Sequence, residues 1–421
     1  MNKTLELLEA RGFLEWCSDL EGLSEEMDKG PITLYSGFDP TADSLHVGHL
    51  IPVMCACWMQ RTGHRPLLLA GGGTGMIGDP SGKSKERNLL SPEQIAHNVE
   101  CVKKQLASLL DFTPGPQGAK LVNNYDWLGK INLIDFLRDV GKHFSVNVMI
   151  RKEHVRSRIE DPDKTLSFTE FTYTILQGYD FLHLFETEGC RLQMGGNDQQ
   201  GNLVSGLELI RKVKGERVFA ATSPLLLNSN GVKFGKTEEG AVWLDPARTS
   251  PYKFYQFWVN TEDDQVEKLL KLYTFLSLEE IAELVREHQA NPGARAASRA
   301  LAFEVTKLIH GQEAAQAAQK ASALLFGGGA EGLDDATLAM VAEETGAVPY
   351  SQGQSLADAL VDAGVVASKG EVKRLVAGGA VSVGGVKISD ERACLADEHF
   401  GGKGKTLLRL GKKKYFVLTR S

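Results

Sequence analysis

Paired cysteines, long apolar runs and a strong net charge are all missing from this chain of 421 residues. Its six cysteines (Cys17, Cys55, Cys57, Cys101, Cys190 and Cys394) include no CxxC pair. That excludes the usual zinc-site spacings and a disulfide-stapled scaffold. Cys55 and Cys57 fall in an apolar helical run and read as small hydrophobes. No charge-free apolar stretch approaches the roughly 18 residues that a membrane helix needs. The opening residues carry Glu6, Glu9 and Glu15 and no uninterrupted apolar segment. Neither a secretory signal nor a transit peptide is expected, and the cytoplasm is the expected location.

What is present is an ordinary globular composition, 42% hydrophobic and 24% charged, which is ample for packed cores. At about 150 residues per domain the length suggests two or three domains. The formal net charge of -7 argues against simple polyanion binding, but it hides an asymmetry. From Ser351 onward 12 Lys and Arg face 7 Asp and Glu, so the tail is basic and the body acidic. Such a tail suits contact with nucleic acid, and equally suits a merely soluble end.

In the first half, short apolar runs at 32–36, 66–70, 120–123 and 190–194 read as buried strands. Helical patterns at 49–61, 92–110, 131–144 and 168–187 alternate with them. The alternation predicts an α/β, Rossmann-like parallel sheet with helices on both faces, spanning 1–247. Ligands of such sheets sit beyond the strand carboxyl ends, where the glycine- and histidine-rich segments fall. Strand signals then stop, and 248–324 reads as an α-helical domain. Within it, Ser277 to Glu280 forms a capping box, Asn291-Pro292 reads as a helix start, and Gly311 as a stop. Residues 325–352 read as a linker, and 353–421 as a small α+β unit.

Five segments carry chemistry. Tyr35 opens a run that passes through Asp39 and Thr41 to His46-Val-Gly-His49 at a helix start. Two histidines three apart there share one face, beside free backbone N–H groups suited to a polyphosphate. The plain alternative is a capping histidine and a satisfied core histidine. Gly48 leaves room for close approach of a planar base. The glycine-dense run 71–87 matches neither a Walker loop nor a dinucleotide fingerprint. It reads either as a surface loop or as a cover placing Lys83 and Arg87 on phosphates and Asp79 on a cation. Residues 223–237 read as a second mobile loop bearing Lys233 and Lys236, a pair that also fits a solvated face. Tyr173, Gln177 and Asp180 share one helix face at i, i+4 and i+7. Gln193-Met-Gly-Gly196-Asn-Asp198-Gln199 follows a strand end and suits a ribose and an amide-bearing ligand.

Together and in order, these segments resemble the bacterial-type tyrosyl-tRNA synthetases, a class I aminoacyl-tRNA synthetase family, over essentially the whole chain. The likeness rests on YSGFDPT from Tyr35, HVGH at 46–49, GDPSGK at 78–83, YTILQGYD at 173–180, QMGGNDQ at 193–199 and KFGKT at 233–237. It implies that L-tyrosine and ATP give tyrosyl-adenylate and pyrophosphate, and that tyrosine then passes to the 3'-terminal ribose of tRNA(Tyr). By the same resemblance Tyr173, Gln177 and Asp79 would bind the α-amino group, with Gln193 in the tyrosine pocket. Tyr35 and Asp180 would hold the phenolic hydroxyl. Asp39, Gly48, Gly196, Asp198, Gln199 and Lys236 would contact ATP or the adenylate. Thr41, His46, His49, Lys83, Arg87, Lys233, Lys236 and Thr237 would serve the transferring phosphate. Mg2+ would arrive with ATP, and no protein metal site is expected.

The resemblance further implies a homodimer through 130–160, with tRNA contacts from Arg151 and Lys152 there. The last 65 or so residues resemble a small RNA-binding domain, with Lys369, Lys373 and Arg374 on one helix. Some positions depart from familiar spellings. KFGKT keeps both lysines of the class motif, Asn197 and Gln200 flank the contacting residues, and Pro52 is expected to distort the first turn of its helix. The rival readings are a tryptophanyl enzyme, an inactive RNA-binding paralogue and a small-molecule nucleotidyltransferase. Tyr35 with Asp180, the retained histidines and lysines, and the basic tail weigh against each in turn.

Overall fold

The structure is a computed structural model that describes the chain apart from residues 80–89, 162, 164, 228–233, 238–239, 327–332, 401–403, 412–413 and 421. At positions 154, 236 and 237 it describes the backbone alone. The described residues group into two compact units, Met1–Thr249 with Asp263–Asn291, and Ser250–Glu262 with Pro292–Ser421. This grouping differs from the three-part expectation. Residues 263–291, expected with the helical domain, belong to the first unit. No helix among the described residues is long and apolar enough to cross a membrane.

The first unit is built on six strands, β1 (Trp16–Cys17), β2 (Thr33–Phe38), β3 (Arg65–Ala70), β4 (Lys120–Asn123), β5 (Cys190–Gly196) and β6 (Phe219–Ser223). They lie in the order β1-β6-β5-β2-β3-β4. All neighbours are parallel except β1, which closes the β6 edge antiparallel. The chain leaves β2 toward β3 and β4 on one side, then crosses to β5 and β6 on the other. Strand order therefore reverses between β2 and β5, which opens a crevice at their carboxyl ends. Burial on both faces explains the uninterrupted apolar runs, such as Leu67, Leu68 and Leu69 in β3, each 3% exposed or less.

Two helices aim residues into that crevice. Helix Leu50–Arg61 begins directly after the histidine turn. Pro52 sits in its first turn, where a backbone N–H has no intrahelical acceptor to lose. The expected distortion is absent, and the helix continues regularly. Helix Phe168–Glu188 opens on a capping box between Ser167 and Glu170 and ends at Gly189 in the left-handed region. By contrast, the single helix expected over 131–144 is broken into Leu133–Asp135, a wide turn Phe136–Val140 and a tight turn Gly141–His143. Gly141 and the Asn132 cap favour these interruptions over one continuous helix.

In the second unit, Pro292–Ala294 forms only a short turn, and the helix starts at Ala296 after Arg295 at φ 52°. Gly293 directly after the proline disfavours the earlier start. That helix ends at His310 and Gly311, as its sequence predicts. The stretch read as a linker carries helix Asp335–Thr345 and strand Ala347–Tyr350. The strand pairs parallel with Lys414–Arg420 at the edge of a five-stranded sheet. Leu338 and Val341 of the helix pack with Leu324, Leu407 and Val417, so the helical and α+β parts share a core.

Arg158 and Glu170 form a bidentate pair at the start of helix Phe168–Glu188, with nitrogen–oxygen distances of 2.8 and 3.0 Å. Both side chains are within 5% of full burial, and Arg158 also donates to the Thr165 carbonyl. Arg158→Ala leaves a buried carboxylate unpaired and is expected to cost about 3–5 kcal/mol in denaturant unfolding. The double change Arg158→Met with Glu170→Leu removes both charges and is expected to cost far less.

Candidate active site

Beyond the strand ends lies a cavity of about 360 Å³. Its floor is β2 and β5, and its lining includes Tyr35, Asp39, Tyr173, Gln177, Asp180 and Gln193. Thr41, His46, Gly48, His49, Asp79, Gly196, Asp198 and Gln199 line it as well. These fourteen are scattered from β2 to the turn after β5 in sequence, yet the reversal of strand order gathers them. Lys83, Arg87 and Lys233 lie outside the described residues, as do the side chains of Lys236 and Thr237.

One end of the cavity is organised around Asp180, which is 2% exposed. Asn124 Nδ2 donates to one carboxylate oxygen at 2.9 Å, and Trp127 Nε1 donates to the other at 2.7 Å. Burial pushes this carboxyl up to about 7, against the lowering effect of those two donors. Asn124 also donates to the Thr74 hydroxyl at 3.0 Å and accepts from Gly73 N–H at 2.7 Å. Thr74 in turn donates to Asp39 at 2.8 Å, and the Tyr173 hydroxyl donates to the other Asp39 oxygen at 2.9 Å. A continuous chain thus joins Asp180 to Tyr173, two residues of one helix, through the ends of β2, β3 and β4. Gly71 makes it possible, because a Cβ there would strike both the Asp39 carboxylate and the Thr74 hydroxyl.

Tyr35 packs against Phe181 with ring centroids 5.4 Å apart. Its hydroxyl is buried with no hydrogen-bond partner among the described residues. Burial and the nearby Asp180 charge hold that phenol well above its ordinary range, so it remains a neutral donor. Gln177 and Gln193 likewise present buried amide oxygens without partners among the described residues. Buried polar atoms without a protein partner call for a ligand or an ordered water, and these open into the cavity. Asp79 instead accepts from the Gln199 amide at 2.6 Å.

The histidines take a defined arrangement. His46 Nδ1 accepts from Gly48 N–H at 3.0 Å, and His49 Nδ1 accepts from His46 N–H at 3.2 Å. Each ring therefore carries its proton on Nε2 and is a hydrogen-bond donor there, not a base. The rings stack with centroids 3.8 Å apart, lying over Gly48, where a Cβ would approach His46 Cε1 to 2.9 Å. Backbone bonds tie this turn to the second loop, from Val47 N–H to the Val242 carbonyl at 2.9 Å and from Val242 N–H to the Gly235 carbonyl at 2.8 Å.

Three groups escaped the sequence reading. Asn124 and Trp127 follow β4 in an NNYDW run, and the rule that ligands lie beyond strand ends could have flagged them. Ser223 was read as part of a mobile loop, but it is the last residue of β6 and lines the cavity. Among the residues expected to touch RNA, Arg151 is exposed, whereas Lys152 turns inward. Its ammonium donates to Thr174 and to the Gly201 carbonyl, each at 2.8 Å, and to Ser205. Burial pushes it down to about 8. Lys369, Lys373 and Arg374 are exposed, with Lys369 paired to Asp358. No group of three or more His, Cys, Asp or Glu among the described residues could hold a metal ion.

Comparison with known proteins identifies the family. Residues 27–327 match the family described as tRNA synthetases class I (W and Y), and residues 339–418 match the tyrosine–tRNA ligase SYY-like C-terminal domain. The chain is 50% identical to a tyrosine–tRNA ligase of Bacteroides thetaiotaomicron, covering 98% of this chain and 99% of that one. It is 49% identical to one of Geobacillus stearothermophilus, covering 98% of each. A C-terminally truncated mitochondrial tyrosyl-tRNA synthetase of Aspergillus nidulans superposes with a TM-score of 0.70 at 33% identity, covering 77% of this chain and 94% of that one. A tryptophanyl-tRNA synthetase of Encephalitozoon cuniculi, at 16% identity and a TM-score of 0.54, shares the fold. The chain belongs to the class I tRNA synthetase family that comprises the tryptophan and tyrosine enzymes.

Proposed function

We propose that this chain is a tyrosine–tRNA ligase that forms tyrosyl-adenylate from L-tyrosine and ATP and then esterifies tRNA(Tyr). The observation that carries the reading is the pairing of an unpartnered Tyr35 hydroxyl with the buried Asp180 carboxylate at one end of the cavity. A phenol completes both groups, donating to Asp180 and accepting from Tyr35. Phenylalanine leaves the buried Tyr35 hydroxyl without a partner and offers Asp180 no donor, and the penalty for that supplies discrimination without a separate editing site. An indole has no hydroxyl to offer either group, which disfavours tryptophan.

In the first step a tyrosine carboxylate oxygen bonds to the α-phosphorus of ATP, and the bond from that phosphorus to the bridging oxygen breaks. Pyrophosphate leaves with the electron pair. This needs positioning and donors where charge grows, and no covalent enzyme intermediate. The Nε2–H groups of His46 and His49 supply two such donors. Tyr173, Gln177 and Asp79 bind the α-ammonium end, and Asp39, Asp198 and Gly196 the adenylate. Lys83, Arg87, Lys233 and Lys236 contribute positive charge, and Thr237 contributes a hydroxyl donor. Mg2+ enters as part of the ATP substrate. In the second step the terminal ribose hydroxyl of tRNA attacks the tyrosyl carbonyl carbon, and AMP leaves.

Among the described residues, more than half of the large exposed apolar side chains fall from Tyr125 to Phe168, including Leu133 at 68% and Phe168 at 79% exposure. A second copy of the chain covering this surface fits that concentration. The RNA is held by the exposed Lys369, Lys373 and Arg374 and by Arg151.

Amino-acid-dependent ATP–pyrophosphate exchange tests the reading. Exchange is expected with tyrosine and not with tryptophan or phenylalanine; exchange with tryptophan would overturn the pocket assignment. Lys373→Ala with Arg374→Ala is expected to lower tRNA charging about tenfold at moderate salt, with exchange unchanged. Charging equal to the parent protein would remove this helix from the RNA surface.

A further inference from the structure

We infer that Ser223 reads the purine of the nucleotide, its hydroxyl accepting a hydrogen bond from the exocyclic amine of adenine; this rests on the adenylate-forming reading above. Ser223 closes β6 and stands in register with Gly196 at the end of β5. The chain from Asp180 through Asn124 and Thr74 lies at the ends of β3 and β4, on the other side of β2. A tyrosine with its phenol at Asp180 therefore directs its carboxylate, and the nucleotide joined to it, toward β5 and β6.

The hydroxyl itself points to a missing partner. Ser223 is 2% exposed and lines the cavity, yet its oxygen has no hydrogen-bond partner among the described residues. The other cavity-lining residues named above with this property are Tyr35, Gln177 and Gln193, all on the tyrosine side. Ser223 is the corresponding unfinished group on the nucleotide side. Its neighbour Thr222, fully buried, is satisfied by donating to Asn197 Oδ1 at 3.0 Å. That bond fixes the end of β6 to the turn holding Asp198 and Gln199, so the position of Ser223 is set before any ligand arrives.

The surroundings select the part of the nucleotide. Pro224, Leu225 and Leu226 follow Ser223 and line the same wall. Apolar walls suit the face of a purine and offer nothing to a ribose or a phosphate, whose donors and acceptors would lose water without replacement. The polar alternatives are supplied by Asp198 and by the two histidines. A single hydroxyl beside an apolar slot then meets the edge of the base. Guanine carries a carbonyl where adenine carries its amine.

The test compares ATP with purine riboside triphosphate, which lacks the exocyclic amine, in tyrosine-dependent pyrophosphate exchange. In the parent protein the analogue is expected to raise KM about three- to tenfold, the worth of one neutral hydrogen bond. Ser223→Ala is expected to raise the KM for ATP by a similar factor and to abolish the difference between ATP and the analogue. The KM for tyrosine and kcat should stay within about twofold of the parent values. Ser223→Cys, which keeps the volume but bonds weakly, should give an intermediate ratio. A parental ATP-to-analogue ratio in Ser223→Ala, or a loss that falls on tyrosine instead, would overturn the assignment. Parent protein inert with tyrosine and ATP would overturn the adenylate-forming reading first, and this assignment with it.

Discussion

A carboxylate buried between a helix and a sheet is unfavourable unless donors surround it, and the site depends on how this is met at Asp180. Both of its oxygens are met by side chains from the residues that follow β4, Asn124 and Trp127. Trp127 is fixed in turn by stacking on His183, one turn along the same helix as Asp180, with ring centroids 4.4 Å apart. Because Asn124 also grips Thr74, and Thr74 grips Asp39, the Asp180 and Asp39 carboxylates are set by one network. The helix that carries Tyr173 and Asp180 is thereby locked over the strand ends, and its start is locked by the Arg158–Glu170 pair.

This rigidity divides the labour across the crevice. On the β3 and β4 side the groups are preorganised and satisfied except where a ligand would complete them. On the β2 and β5 side the histidine turn presents donors whose tautomers are decided by backbone contacts. The backbone bonds from this turn to 235 and 242 then hold the base of the second loop beside the same site. Donors positioned on fixed elements fit a reaction whose transition state builds negative charge on phosphate oxygens.

Much of the cavity lining was legible because it is written in local motifs. Tyr173, Gln177 and Asp180 share a face by helix periodicity alone, and His46 with His49 by their spacing. The capping boxes at Ser167 and Ser277 fix helix starts through side chains three residues apart. Asn124 and Trp127 were hidden because their partner lies more than 50 residues away, and only the strand order brings them together. Ser223 was hidden because β6 reads as a short run of small residues. Lys152 shows a different limit: a sequence reports a charge but not its direction, and this one turns toward Thr174 and Ser205. Pro52 shows that a proline's cost depends on its place in the helix more than on its presence.

The central claim, that Asp180 is the acceptor for a phenol, is tested most directly by counting protons when tyrosine binds. With its carboxyl at about 7, Asp180 is mostly protonated in the empty pocket near pH 6. A phenol donating to it favours the ionised form, so binding should release protons at about pH 6, and almost none above about pH 8. Titration calorimetry in buffers of different ionisation enthalpy measures this number. Phenylalanine, which offers no hydroxyl, should bind without that release. Equal proton release for the two amino acids, or none for tyrosine, would contradict the account.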